Sequence, residues 1–422
     1  MDYIEEIQTK KIDFKKYKNL TPNIYKQSIC LSRKIPNKKI IHINSTSVSG
    51  GGGVSELLRS QIPLEKSLGF DSRWFVIKGN PRFFEITKKA HNLLQGKSGD
   101  LSQEEKKFYF QWLNKKIAPC FKKLISREKP GIIIINDPQP LPLIDFIPSD
   151  ILSILRMHID TSTPDKSTLN FFKPLIKKYK IVIFSHPKHR PLWLPVEKTR
   201  IIMPAIDPFT KKNQALKKQD ALKILSMYGI DAKKPIISQV SRFDPWKNQL
   251  ETLKIYRLAK KKVPGLQLIL IGLSWAKDDP EAIDMFKKIK KNSRNDADVW
   301  LFFNPKKLNG LSNNLLINAV YTGSNVIIQK SIREGFGMTI TEAMWKKKSV
   351  IGSNANGIKL QIKHRKNGFL ASTSDEAAKY LVQLLKDSSL RANIGRNAHQ
   401  TIKNDFLLSR LILDYLKIFY SY

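Results

Sequence analysis

Short apolar runs alternate along this chain with longer segments in which apolar positions recur every three or four residues. The first pattern predicts buried strands and the second amphipathic helices, and their alternation predicts parallel α/β domains. Strands are predicted at "KIIHINS", "SRWFVIKG", "GIIIINDP", "ILSILRMHID" and "KIVIFSHP" in the first half. In the second half they are predicted at "PIISQVSRFD", "LQLILIGLS", "VWLFFNP", "SNVIIQKS" and "SVIGSNA". Between the halves, "TRIIMPAIDPFTKKNQALKKQD" collects Pro, Asp and Lys and reads as the join. The last stretch, "DFLLSRLILDYLKIFYSY", carries Leu407, Leu408, Leu411, Ile412 and Leu416 on one broad helical face. Thr373 and Glu376 are spaced as a capping box for the helix "SDEAAKYLVQLLK". The expected organisation is a helical extension over 1–38 and two Rossmann-like doubly wound domains, 39–205 and 206–395, facing across a cleft. A terminal helix, 396–422, then crosses back to the first domain.

Composition narrows the class without naming it. A chain of 422 residues that is 41% hydrophobic can bury two sizeable cores, which excludes wholesale disorder. The two cysteines, Cys30 and Cys120, are far apart, which points away from a disulfide scaffold or a structural zinc site. "GIIIIN" and "LQLILIGL" have the length of buried strands rather than membrane spans. The first twenty residues lack the apolar region of a signal peptide, so a cytoplasmic location is expected. The net charge of +38, from 74 Lys+Arg against 36 Asp+Glu, is spread in lysine pairs and triplets rather than gathered in one tail. It reads as a lysine-rich solvated surface, with non-specific adhesion to polyanions as a by-product. A homodimer, or peripheral contact with an anionic membrane, is compatible with this charge but not required by it; no specific nucleic-acid motif is present.

Four stretches carry candidate chemistry. In "STSVSGGGGVSELL" a strand is followed by consecutive glycines, Gly51, Gly52 and Gly53 among them, and then by helical spacing. Free amides at such a junction form an anion site, and a flexible loop is the plain alternative; the spacing leaves both open. In "QKSIREGFGMTITEAMW" Glu334 precedes Gly335, Phe336 and Gly337, and Glu342 follows on a helix predicted to begin near Met338. Glu334 could accept hydrogen bonds from hydroxyls at the helix mouth and Glu342 could face a ribose, or the pair could simply decorate an amphipathic helix. In "QVSRFDPWKN" Arg242 and Lys247 flank a turn at a strand end, where two cations could clamp a diphosphate. In "LRMHID" Arg156, His158 and Asp160 alternate, so an extended strand would point all three to one side.

These stretches, with "NDPQPLPLI" and "FFEITKKAHNLLQG", resemble in the same order the motifs of the retaining glycosyltransferases of family four, which have the GT-B fold. Within that family the resemblance is to the glycosyltransferring trehalose synthases, and it runs from about Lys11 to the terminal helix. The resemblance implies a nucleotide-sugar donor with no metal and no other cofactor: ADP-, UDP- or GDP-glucose. It assigns Glu334, Arg242, Lys247 and His158 to catalysis. It gives the donor Glu342, Arg333, Gly335, Phe336, Gly337, Met338, Thr339 and the Gly51–Gly53 loop, and gives the acceptor Asp137, Gln139, Arg156 and Asp160. The implied reaction transfers glucose to a small sugar, glucose itself giving trehalose, with retention at the anomeric carbon.

Three departures bear on substrate. Asn356-Gly357 stands where a Gly-Gly pair is the pattern, "SHPKHRPLW" places basic residues at the lip of the expected cleft, and "FFNPKKLNGLSNN" carries several Asn and Lys. They leave the nucleotide base and the acceptor open. A glycerate-type solute, a lipid or a glycan is the alternative acceptor, and a basic nucleic-acid-binding protein on a degenerate transferase fold is the remote alternative.

Overall fold

The computed structural model describes residues 3–47, 53–272, 280–293, 296–304, 308 and 310–422. The chain divides into two compact units, the first formed by 1–204 with 408–422 and the second by 205–407.

The first unit is built on seven strands: β1 (Ile4–Ile7), β2 (Lys39–Asn44), β3 (Asp71–Ile77), β4 (Ile132–Asn136), β5 (Leu152–Arg156), β6 (Ile181–Phe184) and β7 (Thr199–Ile201). Their order across the sheet is β1-β3-β2-β4-β5-β6-β7. All neighbours are parallel except β1, which runs antiparallel to β3 with Ile4 opposite Ile77. Every residue of β4, the run of four isoleucines and an asparagine, is buried, as both-face coverage by helices requires of a parallel strand. Ile41, Ile43, Ile133, Ile135 and Leu155 meet Phe83, Phe121 and Phe172 from the covering helices in one core.

The second unit holds β8 (Ile236–Val240), β9 (Gln267–Ile271), β10 (Val299–Phe302), β11 (Val326–Gln329), β12 (Ser349–Gly352) and β13 (Phe369–Leu370). Their order is β10-β9-β8-β11-β12-β13, all parallel. Leu268, Leu270, Val326, Ile328 and Ile351 pack there against Tyr256, Leu381 and Leu384. Both sheets are doubly wound, with a reversal of strand order at β2/β4 in the first and at β8/β11 in the second. Loops leaving the carboxyl ends of such strand pairs border the crevice in which α/β sheets take ligands.

All ten predicted strands are present; β1, β7 and β13 were not foreseen. The 1–38 segment is helical over Pro22–Lys34 but starts as a strand, because Ile4–Ile7 finds an open edge on β3 and Glu6 pairs with Arg73. The predicted terminal helix is two helices, Ser388–Asp405 in the second unit and Leu408–Tyr420 in the first. The break falls at Phe406, whose φ of −130° leaves the helical region and whose carbonyl accepts the Ile206 N–H at 2.9 Å. Within the first unit the last helix is tied by Thr21 Oγ1 to Ser409 Oγ at 3.0 Å and by Arg410 Nη2 to the Met203 carbonyl at 2.7 Å. The capping box at Thr373 is half made: Thr373 Oγ1 accepts the Glu376 N–H, but the Glu376 carboxylate accepts from Ser372 N at 2.7 Å.

Candidate functional site

The reversal point of the second sheet gathers the cations and carboxylates singled out from sequence. Behind β8 the chain turns sharply: Asp244 Oδ1 accepts the Trp246 N–H at 2.8 Å, and Asn248 stands at φ +52° before the helix Gln249–Lys260. Two buried amides hold this turn open, Gln239 through the Lys247 carbonyl at 2.8 Å and Gln249 through the Arg242 carbonyl at 2.6 Å. Behind β11 the loop 330–337 lies alongside. Ile332 N donates to the Trp246 carbonyl at 2.8 Å, and the Arg333 guanidinium sits 5.6 Å from the Trp246 ring centre.

The two loops are joined by charge. Lys247 Nζ is 2.7 Å from Glu334 Oε2, which also accepts from Ser331 Oγ at 3.1 Å. Glu334 is nearly buried, so this pair is shielded from bulk water on most sides. Arg242 is more open, and its Nη2 meets Asp244 Oδ2 at 3.2 Å. Past Glu334 the backbone needs its glycines. Gly337 has φ +89°, in the left-handed region, and caps the helix Met338–Trp345. Gly357 lies so close that a Cβ there would sit 2.5 Å from the Phe336 nitrogen and 2.6 Å from the Glu334 carbonyl oxygen. Gln361 finishes the clamp, donating to the Phe336 carbonyl at 2.6 Å and accepting from Thr341 Oγ1 at 2.6 Å. The Asn356-Gly357 departure therefore keeps the one glycine that contact with the Glu334 loop demands.

Phe336 turns its ring inward, 5.5 Å from Phe406, so what it offers outward is backbone. Gly335, Met338 and Thr339 are half-buried around the helix start. Glu342 lies on the same helix and is enclosed: Lys212 Nζ is 2.6 Å from its Oε1, and Tyr321 donates to its Oε2 at 3.0 Å.

At the first sheet's reversal point, Asp137 follows β4 at φ +64°. Its Oδ1 accepts the His158 N–H at 2.8 Å, while His158 Nε2 meets Asn136 Oδ1 at 3.0 Å. Burial pushes the Asp137 carboxyl up to about 7, against the opposing pull of the His158 N–H and the Arg156 charge. Burial, with the Arg156 charge adding to it, holds the His158 imidazole well below its ordinary value. His158 and Asp137 thus form a unit with little tolerance for extra charge. Gln139 is half-buried beside them, its Oε1 without a hydrogen-bond partner, and the Tyr109 hydroxyl donates to the Pro138 and Gln139 carbonyls, each at 2.9 Å.

Arg156, His158 and Asp160 do not share a side. The strand ends at Arg156, so the two-residue alternation stops there. Arg156 is fully enclosed, bonded to the Ile202 carbonyl at 2.6 Å, the Phe184 carbonyl at 3.2 Å and Ser185 Oγ at 3.3 Å. Asp160 faces another way, its Oδ1 accepting from Ser162 N at 2.9 Å. That oxygen lies 3.2 Å from His189 Nε2 without hydrogen-bond alignment. Burial lowers His189 to about 4, outweighing the attraction of Asp160.

Of the glycine loop, Gly53 starts the helix Gly53–Ser67; Gly51 and Gly52 lie outside the described residues. Lys212, Tyr321, Ser331, Gln361 and His189 were missed. Ser331 lay in the stretch singled out around Glu334, and His189 in one that looked unusual, where the signal was its basic neighbours.

Comparison with known proteins agrees with this fold. Residues 42–191 match the family model "Trehalose synthase, N-terminal domain", and residues 222–401 match "Glycosyl transferases group 1". A trehalose synthase of Thermococcus litoralis is 40% identical over 392 residues, covering 93% of this chain and 92% of the relative. One from Rubrobacter xylanophilus is 36% identical, covering 92% of each. The solved structure described as "Trehalose-6-phosphate from E. coli bound with UDP-2-fluoro glucose" superposes with a TM-score of 0.71 at 12% identity, over 91% of this chain and 99% of that one. Among the described residues, no helix is long and apolar enough to cross a membrane.

Proposed function

Because this chain belongs to the trehalose synthase family of glycosyltransferases with the GT-B fold, we propose that it moves glucose from a nucleoside diphosphate glucose to a sugar, with free glucose as the acceptor and trehalose as the product. The observation that carries this reading is the Lys247–Glu334 pair, 2.7 Å across, at the strand-order reversal of the second sheet. It sets a cation and a carboxylate side by side beside a helix start. A hexosyl diphosphate needs both, the cation for phosphate and the carboxylate for sugar hydroxyls.

In the proposed reaction the bond from the anomeric carbon to the diphosphate oxygen breaks. The acceptor hydroxyl oxygen bonds to that carbon on the same face, and its proton passes to a diphosphate oxygen. Lys247, Arg242 and the amides at the Met338 helix start offset the negative charge that builds on the leaving diphosphate. Glu334, held by Lys247 and Ser331, accepts from hexose hydroxyls; Glu342, held by Lys212 and Tyr321, accepts from the ribose. Asp137 and Gln139 serve the acceptor side, and His158 contacts the donor sugar at the reacting centre. Since the cations are built into the chain, we infer that turnover needs no metal.

The test is nucleoside diphosphate release by the purified protein with ADP-, UDP- and GDP-glucose, each with glucose, before and after treatment with a chelator. The reading predicts release dependent on both donor and glucose, unchanged by chelation. No release with any donor would refute it. Release that collapses on chelation would refute the metal-free mechanism alone.

A further inference from the structure

The segment that joins β6 to β7 presents apolar side chains to solvent without being loose. Leu192 is 94% exposed and Val196 68% exposed. Between them the chain is pinned. Leu194 is fully buried in the first unit's core, and Trp193 is half-buried against it under the Lys173 ammonium, 5.5 Å from its ring centre. The turn is closed by Leu194 N to the Pro191 carbonyl at 3.0 Å, Thr199 N to the Val196 carbonyl at 2.9 Å and Thr199 Oγ1 to the Pro195 carbonyl at 2.9 Å. Arg190 Nη1 adds a bond to the Leu194 carbonyl at 2.6 Å. Single exposed apolar residues are ordinary. Two of them, four positions apart on a turn braced by a core anchor and hydrogen bonds, form a wedge whose shape is set before anything binds it.

The surroundings of the wedge are strongly basic. From Lys173 to Arg200 the chain carries eight Lys and Arg and one acid, Glu197. The tertiary fold keeps them together. Lys198 Nζ reaches the Lys177 carbonyl at 2.9 Å and the Tyr179 carbonyl at 3.3 Å, which lays the basic end of the helix Lys166–Lys178 against this segment. β7, at the edge of the sheet, adds Ile201, itself 40% exposed, and Arg200.

We propose that this face of the first unit, with Leu192 and Val196 at its tip, docks the protein on an anionic lipid surface. The charge selects the partner's sign, and the apolar tip selects its kind. Basic groups next to a negatively charged bilayer are attracted within about a Debye length, and aliphatic side chains enter the boundary between head groups and acyl chains. A single-stranded nucleic acid would be held by rings on which bases stack. The exposed groups of residues 191–196 are aliphatic, and the one aromatic ring there, Trp193, is half-buried against the core. The proposal does not depend on the donor or acceptor assigned above.

The experiment is co-flotation of the full chain with phosphatidylcholine vesicles and with mixed phosphatidylcholine–phosphatidylserine vesicles at physiological salt. It compares the wild type with Leu192→Asp/Val196→Asp and with Lys177→Glu/Lys188→Glu. The changed side chains are exposed, so melting temperature should match the wild type and separate docking from folding. The proposal predicts flotation on the mixed vesicles only, with partition weakened about tenfold or more in either variant. It is overturned if the wild type does not float. It is equally overturned if the Leu192/Val196 variant floats as well as the wild type, which would leave only diffuse charge. Retention on single-stranded RNA that the Leu192/Val196 change abolishes, or a concentration-dependent dimer that it abolishes, would reassign the face and overturn the lipid reading.

Discussion

Replacing Lys247 by Met removes the charge that joins the two loops while keeping most of the side-chain volume. In the native arrangement the ammonium lies 2.7 Å from Glu334 Oε2, with the lysine side chain 21% and the glutamate side chain 10% exposed. Without it, Glu334 keeps only the Ser331 hydroxyl at 3.1 Å as a polar partner among those described for its carboxylate. A fully buried pair broken on one side costs about 3–5 kcal/mol, and the remaining solvent access here brings the expected loss of stability to about 1–3 kcal/mol. The effect on catalysis is larger. If Lys247 acts as a preorganised donor to the leaving diphosphate, its loss raises the barrier by about 3–4 kcal/mol, a fall of roughly 100- to 1,000-fold in kcat. The assay is steady-state diphosphate release with the best donor, alongside urea unfolding, for Lys247→Met, Glu334→Gln and the double variant. Since the residues touch, the double-mutant cycle should show a coupling of about 1 kcal/mol or more in stability. Turnover within threefold of the wild type would refute the catalytic role, and strictly additive stability changes would refute the pairing.

Other perturbations probe the remaining claims. Asp137→Asn keeps the acceptor oxygen for His158 N and suits the positive φ, since Asn tolerates that region. Its effect depends on pH. Burial raises the Asp137 carboxyl above its usual 3.8 to about 7, so the folded state holds a proton that the unfolded state releases. The stability this contributes is fully present below about pH 4 and is lost as pH rises through 7, by on the order of 4 kcal/mol. The Asn variant should therefore gain on the wild type in melting temperature between pH 5 and pH 8; a constant gap would contradict the raised carboxyl. Gly357→Ala drives a methyl to 2.5 Å from the Phe336 nitrogen. The expected cost is about 1–3 kcal/mol in urea unfolding, with a fall in turnover as the Glu334 loop shifts; an unaffected enzyme would show that the close approach is not needed. Arg156→Met orphans the Ile202 carbonyl and leaves the Phe184 carbonyl only the Ile202 N–H at 2.9 Å, and an expected loss of about 1–3 kcal/mol should appear in the unfolding midpoint. A variant of full stability with a raised KM for the acceptor would instead return Arg156 to direct contact with the sugar.

What could be read from the sequence, and what could not, follows from the range of the interactions. Most of the ten foreseen strands are dense in Ile, Leu and Val because both faces are covered, and that density is a local signal. β1, β7 and β13, of four, three and two residues, exist because an open edge waits for them elsewhere in the chain, which no window of neighbours reveals. The spacing of Arg242, Lys247, Glu334 and Glu342 survives folding as a site because two adjacent parallel strands end beneath the two loops. Lys212 and Tyr321, which hold Glu342, come from separate segments and were invisible among 74 basic residues. Alternation failed at Arg156–Asp160 because it holds only while the chain stays extended, and the strand stops at Arg156.

The central claim is transfer of glucose from a nucleotide donor to glucose with the anomeric configuration kept. Proton NMR of the product mixture, followed from the first turnover with an α-linked nucleoside diphosphate glucose and free glucose, tests it most directly. A single new anomeric signal with the small coupling of an α,α-linked disaccharide is expected, growing in step with nucleoside diphosphate. A β-configured linkage, or hydrolysis of the donor to free glucose with no disaccharide, would contradict it.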